Sequence, residues 1–466
     1  MAGALPDYLA SAKPVPLSAR QPWYKNTAPT YAGIFLWFVF WNEMAKNGLA
    51  TGGLMMSVVG VVVGAVICHA AFYLVPGLLG MKTGLPLYVV GSSTFGAAGG
   101  LIMPGFLMGL LQFGWLGVNT YYSSMQLVSA FGAGPGSVPF YIVCIAWAAL
   151  AAFMGLAGIQ YVAKVATFLP LIPFLVLLYA AVLFAGSAGG YSPTPTEGGG
   201  LAAVLAMTGY IVGFFATAGA AGVDFGMNNR DGKDVNMGGI VGIVLATIFT
   251  AGLSVICVAG AIAKGTAAPG DFVLTNSIYK DSSPGLVTAM AFGLALSAFP
   301  GACFSSFIAA NSFKTVMPRI NPTLSVGVGA LVSIILAVTE VAGNLGAVFG
   351  LIGASFGPIC GAMVADYYLA NKRWPGPRAG FNVPGWGAWL VGFLVGITPQ
   401  LHAKFEAVPA IPAAPVAAFV VGFALYWILT KAGLSSAKLP MPPNTQEPSH
   451  PAPATAGAPG GEAWRA

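Results

Sequence analysis

The 466-residue chain is 57% hydrophobic and only 7% charged, where an average soluble domain carries roughly a quarter charged residues. From Thr83 to Ala163 no charge occurs at all, and about 20 apolar residues already cross a bilayer. A water-soluble globule is therefore excluded and a multi-pass membrane protein expected, with its net charge of +6 reporting topology and implying no nucleic acid.

The charges divide the chain into predicted helices at 30–51, 54–79, 99–130, 138–158, 161–187, 201–222, 236–263, 285–313, 322–342, 344–370, 383–402 and 409–431. Backbone amides in lipid must pair within their own segment, so helices are the expected form. The ten-residue alternation of a membrane barrel is absent. The fold class is thus all-α, with about twelve spans forming one transmembrane domain over 30–432. Residues 1–29 form a polar, Pro-rich segment without the apolar core and small-residue cleavage site of a signal peptide. Residues 433–466 are rich in Pro, Ala and Gly and are expected to be disordered.

Lys and Arg set the orientation. With the N-terminus inside, the cytoplasmic segments hold Lys13, Arg20, Lys25, Lys82, Lys164, Arg230, Lys233, Lys314, Arg319, Lys372, Arg373, Arg378, Lys431, Lys438 and Arg465, and the other side only Lys46, Lys264, Lys280 and Lys404. Both termini are therefore expected in the cytoplasm, and the protein in the plasma or inner membrane.

The first predicted span contains "FVFWNEMAKNGLATGG", with Glu43 and Lys46 in an otherwise apolar run. Three residues apart on a helix, they can meet as an ion pair near the outer end. Alternatively, Glu43 faces the permeation path and titrates or binds a cation, since an acid within a span is a functional candidate.

In the third span, "LLQFGWLGVNTYYSS" places Gln112, Trp115 and Asn119 on one face. A Trp flanked by carboxamides suits a flat heteroaromatic ligand, which stacks on the indole while the amides read its edge. The same spacing suits helix–helix packing, and the residues alone leave both readings open. The first and sixth spans, five apart, both mix aromatics with Gly or polar residues midway; paired interruptions of this kind point to an inverted-repeat transporter with its site at the breaks. In the eighth span Ser305 and Ser306 are adjacent hydroxyls with Asn311 beyond them. Such hydroxyls ligate a hard monovalent cation or bond back to their own helix.

The remaining polar residues are less informative. Cys68, Cys144, Cys257, Cys303 and Cys360 lie singly within spans, without metal-ligand or disulfide spacing, and read as small packing residues. His69, His402 and His450 are far apart. Glu340 and Asp366 are expected at the interface, and Asp224 in a solvated turn. No transition-metal site, cofactor motif, nucleophile elbow or phosphate loop is present, so an enzyme is not expected, while a channel remains open on composition.

Together these segments resemble the nucleobase–cation symporters, the purine–cytosine permease family. The resemblance rests on "GMKTGLPLYVVGSSTFG" before the third span, "LLQFGWLGVN" within it, "GFFATAGAAGVDF" in the sixth and "GASFGPICGAMVADYYLANKR" in the tenth, and covers about 30–431. It implies a leucine-transporter-type fold of two inverted five-helix repeats plus two helices, with spans 1 and 6 interrupted at the midplane, in a monomer. It also implies import of a cytosine- or purine-type nucleobase, or of a hydantoin, allantoin or thiamine-precursor ring, coupled to sodium or protons. By position, the resemblance assigns substrate contacts to Phe40, Trp115, Asn119, Phe215 and Asn311, with Phe215 on the ring face opposite Trp115; Gln112 and Thr217 complete the candidates. It assigns the cation to Leu36 and Val39 of span 1 and Ala302, Ser305 and Ser306 of span 8. Ser92 and Met227 stand where many members carry Arg, so the contacts closing the cytoplasmic side are expected to differ.

Overall fold

The computed structural model describes residues 5–193 and 199–441. Among them, nine continuous helices are long and apolar enough to cross a membrane: Leu49–Thr83 (α2), Leu101–Ser129 (α3), Val138–Ala157 (α4), Ile159–Gly190 (α5), Gly199–Ala220 (α6), Gly232–Ala263 (α7), Pro284–Val316 (α8), Leu345–Leu369 (α10) and Ala414–Lys431 (α12). Pro322–Val338 (α9) and Val383–Gly396 (α11) are shorter apolar helices. The first segment, α1, comes in pieces: Thr27–Leu36, then Phe38–Asn42, then a 3-10 turn at Met44–Asn47. The break falls at Trp37, whose ψ of 121° is extended. Gly53, with φ 69°, ends the helical turn that follows α1 and starts α2, in the gap expected between the first two spans. A left-handed residue costs Gly nothing there.

The sixth segment departs from expectation. It runs as an α-helix without interruption from Gly199 to Ala220, and only a turn at Ala221, whose N–H still bonds the Thr217 carbonyl at 2.9 Å, separates it from a further helical turn at Gly222–Gly226. Gly and aromatic composition permitted a midway break. Yet the helix stays intact, since Gly213 lets α6 close onto α10, where a Cβ would meet the Phe349 carbonyl at 2.6 Å. Wide π turns occur instead in α2 (Cys68–Tyr73), α3 (Leu101–Phe106) and α7 (Ile240–Leu245 and Ile248–Gly252).

Helix pairing follows an exchange rule. α3, α4, α8 and α9 pack on one another as one body, while α1 packs on α7 and α2 on α6 in a second. Adding or subtracting five turns the α1–α7 pair into α6–α2, and α3–α9 into α8–α4. An offset of five also reverses direction across the layer, so the pairing is that of an inverted repeat. α10, α11 and α12 pack on one another, with α10 also against α6.

Both ends of the described chain gather at one end of the bundle. Tyr8 Oη donates to the Ala97 carbonyl at 2.6 Å, and the buried Arg20 donates to the Met81 carbonyl. Residues 437–439 pair with 377–379, closed by Ala379 N to Ala437 O at 2.8 Å and Leu439 N to Pro377 O at 2.8 Å. Of the segment from Gly433 expected to be disordered, residues up to Met441 are placed, and 442–466 lie outside the described residues.

Candidate functional site

The break at Trp37 turns the side chains of α1 into the space between the two helical bodies. There six rings converge. Trp37 lies edge-on to Trp115 of α3 at 6.0 Å and stacked on Phe214 of α6 at 6.3 Å. Trp115 meets Phe214 edge-on at 5.6 Å and Phe349 of α10 at 5.7 Å. Phe40 packs on Phe214 at 4.4 Å, and Tyr210 on Phe349 at 5.0 Å.

Exposure marks the same level. On α1, Thr30, Gly33, Ile34 and Trp37 are half-buried at helical spacing, and on α3 so are Leu107, Leu111, Gly114 and Trp115. A Cβ on Gly33 or Gly114 would meet nothing within 4 Å. Beyond the two tryptophans, away from the termini, Phe38–Asn42 and residues 116–124 are all buried. The two faces therefore border open space on the terminal side and close on the other.

At the closed end, Tyr122 Oη of α3 lies 2.9 Å from Glu43 Oε1 and 2.9 Å from the Gly343 carbonyl. Glu43 also pairs with Lys46 at 3.9 Å, with side-chain exposures of 17% for Glu43 and 69% for Lys46. The ion pair expected from spacing is formed, and Tyr122 ties it to the segment before α10.

Of the substrate candidates, Phe40 and Trp115 join this cluster. Phe215 does not: it stacks on Phe35 at 5.6 Å and packs on Tyr31, so Phe214 is the α6 ring that faces Trp115. One residue turns a helix by about 100°, enough to exchange these faces. Asn119 is buried and engaged on both amide ends, donating to the Ala298 carbonyl at 2.8 Å and accepting from Trp147 Nε1 at 3.1 Å and Ser123 Oγ at 3.2 Å. Gln112 is buried, with Nε2 3.8 Å from Met108 Sδ. Thr217 is buried on α6, one turn past the Phe214 level, and Asn311 is exposed near the far end of α8. Sequence reasoning missed Trp37, Tyr210, Phe214 and Phe349; Trp37, between the assigned carbonyl residues Leu36 and Val39, carried the clearest signal.

The cation candidates are divided between the bodies. Leu36 and Val39 sit on α1, where the Leu36 carbonyl accepts from Trp41 Nε1 at 3.0 Å. Ala302, Ser305 and Ser306 are buried on α8, which packs on α3, α4, α5 and α9. Ser306 Oγ donates to the Ala302 carbonyl at 3.4 Å. A Cβ on Gly155 of α4 would meet the Ser306 Cβ at 2.8 Å, so that side of α8 is turned to α4. The residues expected to hold the ion thus lie on helices of two different bodies.

At the terminal end a buried ion pair stands beside the loop that carries Ser92. Arg378 pairs with Asp366 at 2.9 Å, both nearly fully buried, and also donates to the Ser93 carbonyl. Ser93 Oγ donates to Asp366 at 2.7 Å. Asp366 is thus a buried ion-pair member; its partner arrives from the loop after α10, invisible to local pattern. Asp224 is likewise not simply solvated: its carboxylate accepts from Leu87 N at 2.8 Å. Burial pushes its pKa up to about 6, partly offset by that hydrogen bond. Arg20 donates to carbonyls at Val15, Met81 and Asn229, and its burial lowers its pKa. All five cysteines are buried and free, as expected of packing residues.

A family model described as "Permease for cytosine/purines, uracil, thiamine, allantoin" matches residues 14–374. Comparison with curated protein sequences gives no match. The fold is similar to the inward-facing conformation of Mhp1, with a TM-score of 0.65 at 17% identity over 91% of this chain and 96% of that one. It is similar also to Mhp1, a nucleobase-cation-symport-1 family transporter, in a closed conformation with bromovinylhydantoin bound (TM-score 0.61, 15% identity, 93% and 98% covered). A Na+-coupled sialic acid symporter in a substrate-bound outward-open state gives a TM-score of 0.58 at 13% identity, with 93% of each chain covered. The protein is an integral membrane transporter and not an enzyme. Its matched span covers most of the chain, and the chain belongs to the permease family for cytosine/purines, uracil, thiamine and allantoin.

Proposed function

We propose that the protein is a secondary-active symporter that imports a cytosine- or purine-type nucleobase, or a related flat heterocycle of the hydantoin, allantoin or thiamine-precursor type. Sodium or protons drive it, by alternating access in the plasma or inner membrane, with both termini cytoplasmic and the monomer as the working unit. The carrying observation is the ring cluster of Trp37, Trp115, Phe214 and Phe349 at the break in α1, between two separately packed helical bodies. Aromatic faces suit a planar ring, and a discontinuous helix leaves backbone groups to bind ligand and ion. In place of Phe215, Phe214 is assigned as the α6 ring that works with Trp115; the two stand edge-on at 5.6 Å and must part to take a ring between them.

The state is read as inward-facing. Half-buried faces of α1 and α3 lead from the terminal end to Trp37 and Trp115, while Glu43, Tyr122 and Gly343 close the other end. Similarity to the inward-facing Mhp1 conformation supports this reading. The ion would bind between the Leu36 and Val39 carbonyls of α1 and Ser305, Ser306 and the Ala302 carbonyl of α8. Sodium can drive transport only if it binds the two arrangements unequally, and a site split between the bodies has that property.

The test is substrate binding by purified protein with and without sodium, in the wild type and in a Ser305→Ala/Ser306→Ala double variant. Sodium should tighten wild-type binding at least about tenfold, a 1.4 kcal/mol coupling, and the double variant should lose that effect. Tightening that persists removes the sodium assignment. Dependence on pH alone transfers the coupling role to Glu43.

A further inference from the structure

We propose that the connection from α8 to α9, with the outer face of α9, binds one anionic phospholipid from the leaflet on the side of the two chain ends. The site is independent of which heterocycle the protein carries.

α3, α4, α8 and α9 carry a single charged side chain among them, Lys314 in the last turn of α8. Arg319 follows in the connection to α9. No acid occurs between Asp281 and Glu340, and α5, which also packs on α8, adds Lys164 and no acid. Lys314 and Arg319 are exposed, and neither forms an ion pair among the described residues. Elsewhere at the same end Arg230 pairs with Asp234 and Arg378 with Asp366. The connection is thus a spot of uncompensated positive charge. It lies at the end that gathers both chain ends. Phe313 packs on Phe106 at 5.4 Å, and a Cβ on Gly105 would meet the Val316 side chain at 3.2 Å, both in the first turns of α3, just past the Ala97 carbonyl that Tyr8 holds.

Charge alone reports orientation; a groove that begins at the same place makes a site. Asn321, Thr323, Leu324, Gly327, Val328 and Leu331 line a groove of about 510 Å³ along α9. Leu324 is 64% and Leu331 59% exposed, so the groove is open to lipid, and a Cβ on Gly327 would meet nothing within 4 Å. From Asn321 to Leu331 the chain rises about 15 Å, half of the roughly 30 Å hydrocarbon core. The groove has the length of one leaflet.

Its head offers donors. Arg319 matches a phosphate with two parallel N–H groups, and Lys314 adds a second cation. Asn321 Oδ1 accepts from Thr323 N at 2.9 Å, which leaves the amide N–H groups to donate outward. A phosphodiester of net negative charge, with an acyl chain along Leu324, Gly327 and Leu331, satisfies both parts. A choline lipid brings its own cation to the two already there. Basic sites at the cytoplasmic ends of spans hold acidic headgroups on the same principle. A lipid bound here sits on the body that carries Ser305 and Ser306.

The experiment is native mass spectrometry of full-length protein in detergent, titrated with phosphatidylglycerol or with phosphatidylcholine of the same chains. Melting temperature is the folding control. The wild type should bind its first phosphatidylglycerol at least about tenfold more tightly than its first phosphatidylcholine, the preference expected of two cations beside one headgroup. Lys314→Gln/Arg319→Gln should bring that ratio to about one. Gly327→Leu keeps both charges, fills the groove and should weaken phosphatidylglycerol at least about fivefold. Lys372→Gln/Arg373→Gln removes two exposed cations at the same end and should leave the ratio as in the wild type. Equal wild-type affinities for the two lipids overturn the proposal, whether or not any variant folds. So does an equal loss in the two double variants, which reports bulk surface charge, and so does a folded Gly327→Leu that binds as the wild type does. A dimer that Gly327→Leu dissolves, with no lipid preference, assigns the face to a second copy and overturns it too.

Discussion

The Tyr122 hydroxyl donates to the Glu43 carboxylate at 2.9 Å while lying 2.9 Å from the Gly343 carbonyl, joining α1, α3 and the approach to α10 at the closed end. Hydrogen bonds to ionised groups contribute about 1.5–3 kcal/mol. Tyr122→Phe removes this one while keeping the ring. The variant should shift the balance toward an arrangement open at that end by about tenfold or more. Labelling of a Leu345→Cys reporter by a membrane-impermeant thiol reagent should accelerate accordingly; an unchanged rate would take Tyr122 out of the closure.

Phe214 and Phe215 separate site from scaffold. Phe214 touches Trp37, Phe40, Trp115 and Phe349, whereas Phe215 is fully buried against Tyr31 and Phe35. Phe214→Ala should weaken heterocycle binding at least about tenfold, by loss of a stacking face. Phe215→Ala should chiefly lower the melting temperature, because truncating a buried Phe costs about 3–5 kcal/mol in packed cores. Melting curves and binding isotherms on both variants check the division, and equal effects on binding would contradict it.

Asp224 gives a pH signature. Burial raises its folded pKa to about 6, above the usual carboxylate value, so the folded protein holds the proton more tightly than the unfolded chain. Its contribution to stability is then greatest below about pH 4 and is lost as pH rises through about 6. Asp224→Asn keeps a carbonyl oxygen for Leu87 N and removes the titration. Melting temperature should vary less between pH 4 and 6 in the variant than in the wild type, and identical profiles would exclude Asp224 as the source.

Much of the architecture was legible because lipid permits few solutions. Long uncharged runs located the helices, and the gap before Leu54 coincided with the left-handed Gly53. The Glu43–Lys46 pair was legible because it is local. Long-range contacts were not. Arg378 reaches Asp366 from a loop, Asn119 is satisfied by Trp147 and Ala298 on other helices, and no spacing rule anticipates either. The choice between Phe214 and Phe215 depended on the rotation of α6, and the continuity of α6 on its contact with α10 at Gly213. Both are set by tertiary packing, which overrides composition.

Counterflow in proteoliposomes tests the central claim most directly. Vesicles loaded with unlabelled heterocycle and diluted into trace labelled heterocycle should accumulate label transiently, because a carrier exchanges substrate across one alternating site, and Trp115→Ala should abolish the overshoot. Label that only equilibrates, with flux linear in concentration and indifferent to Trp115, would contradict the carrier account.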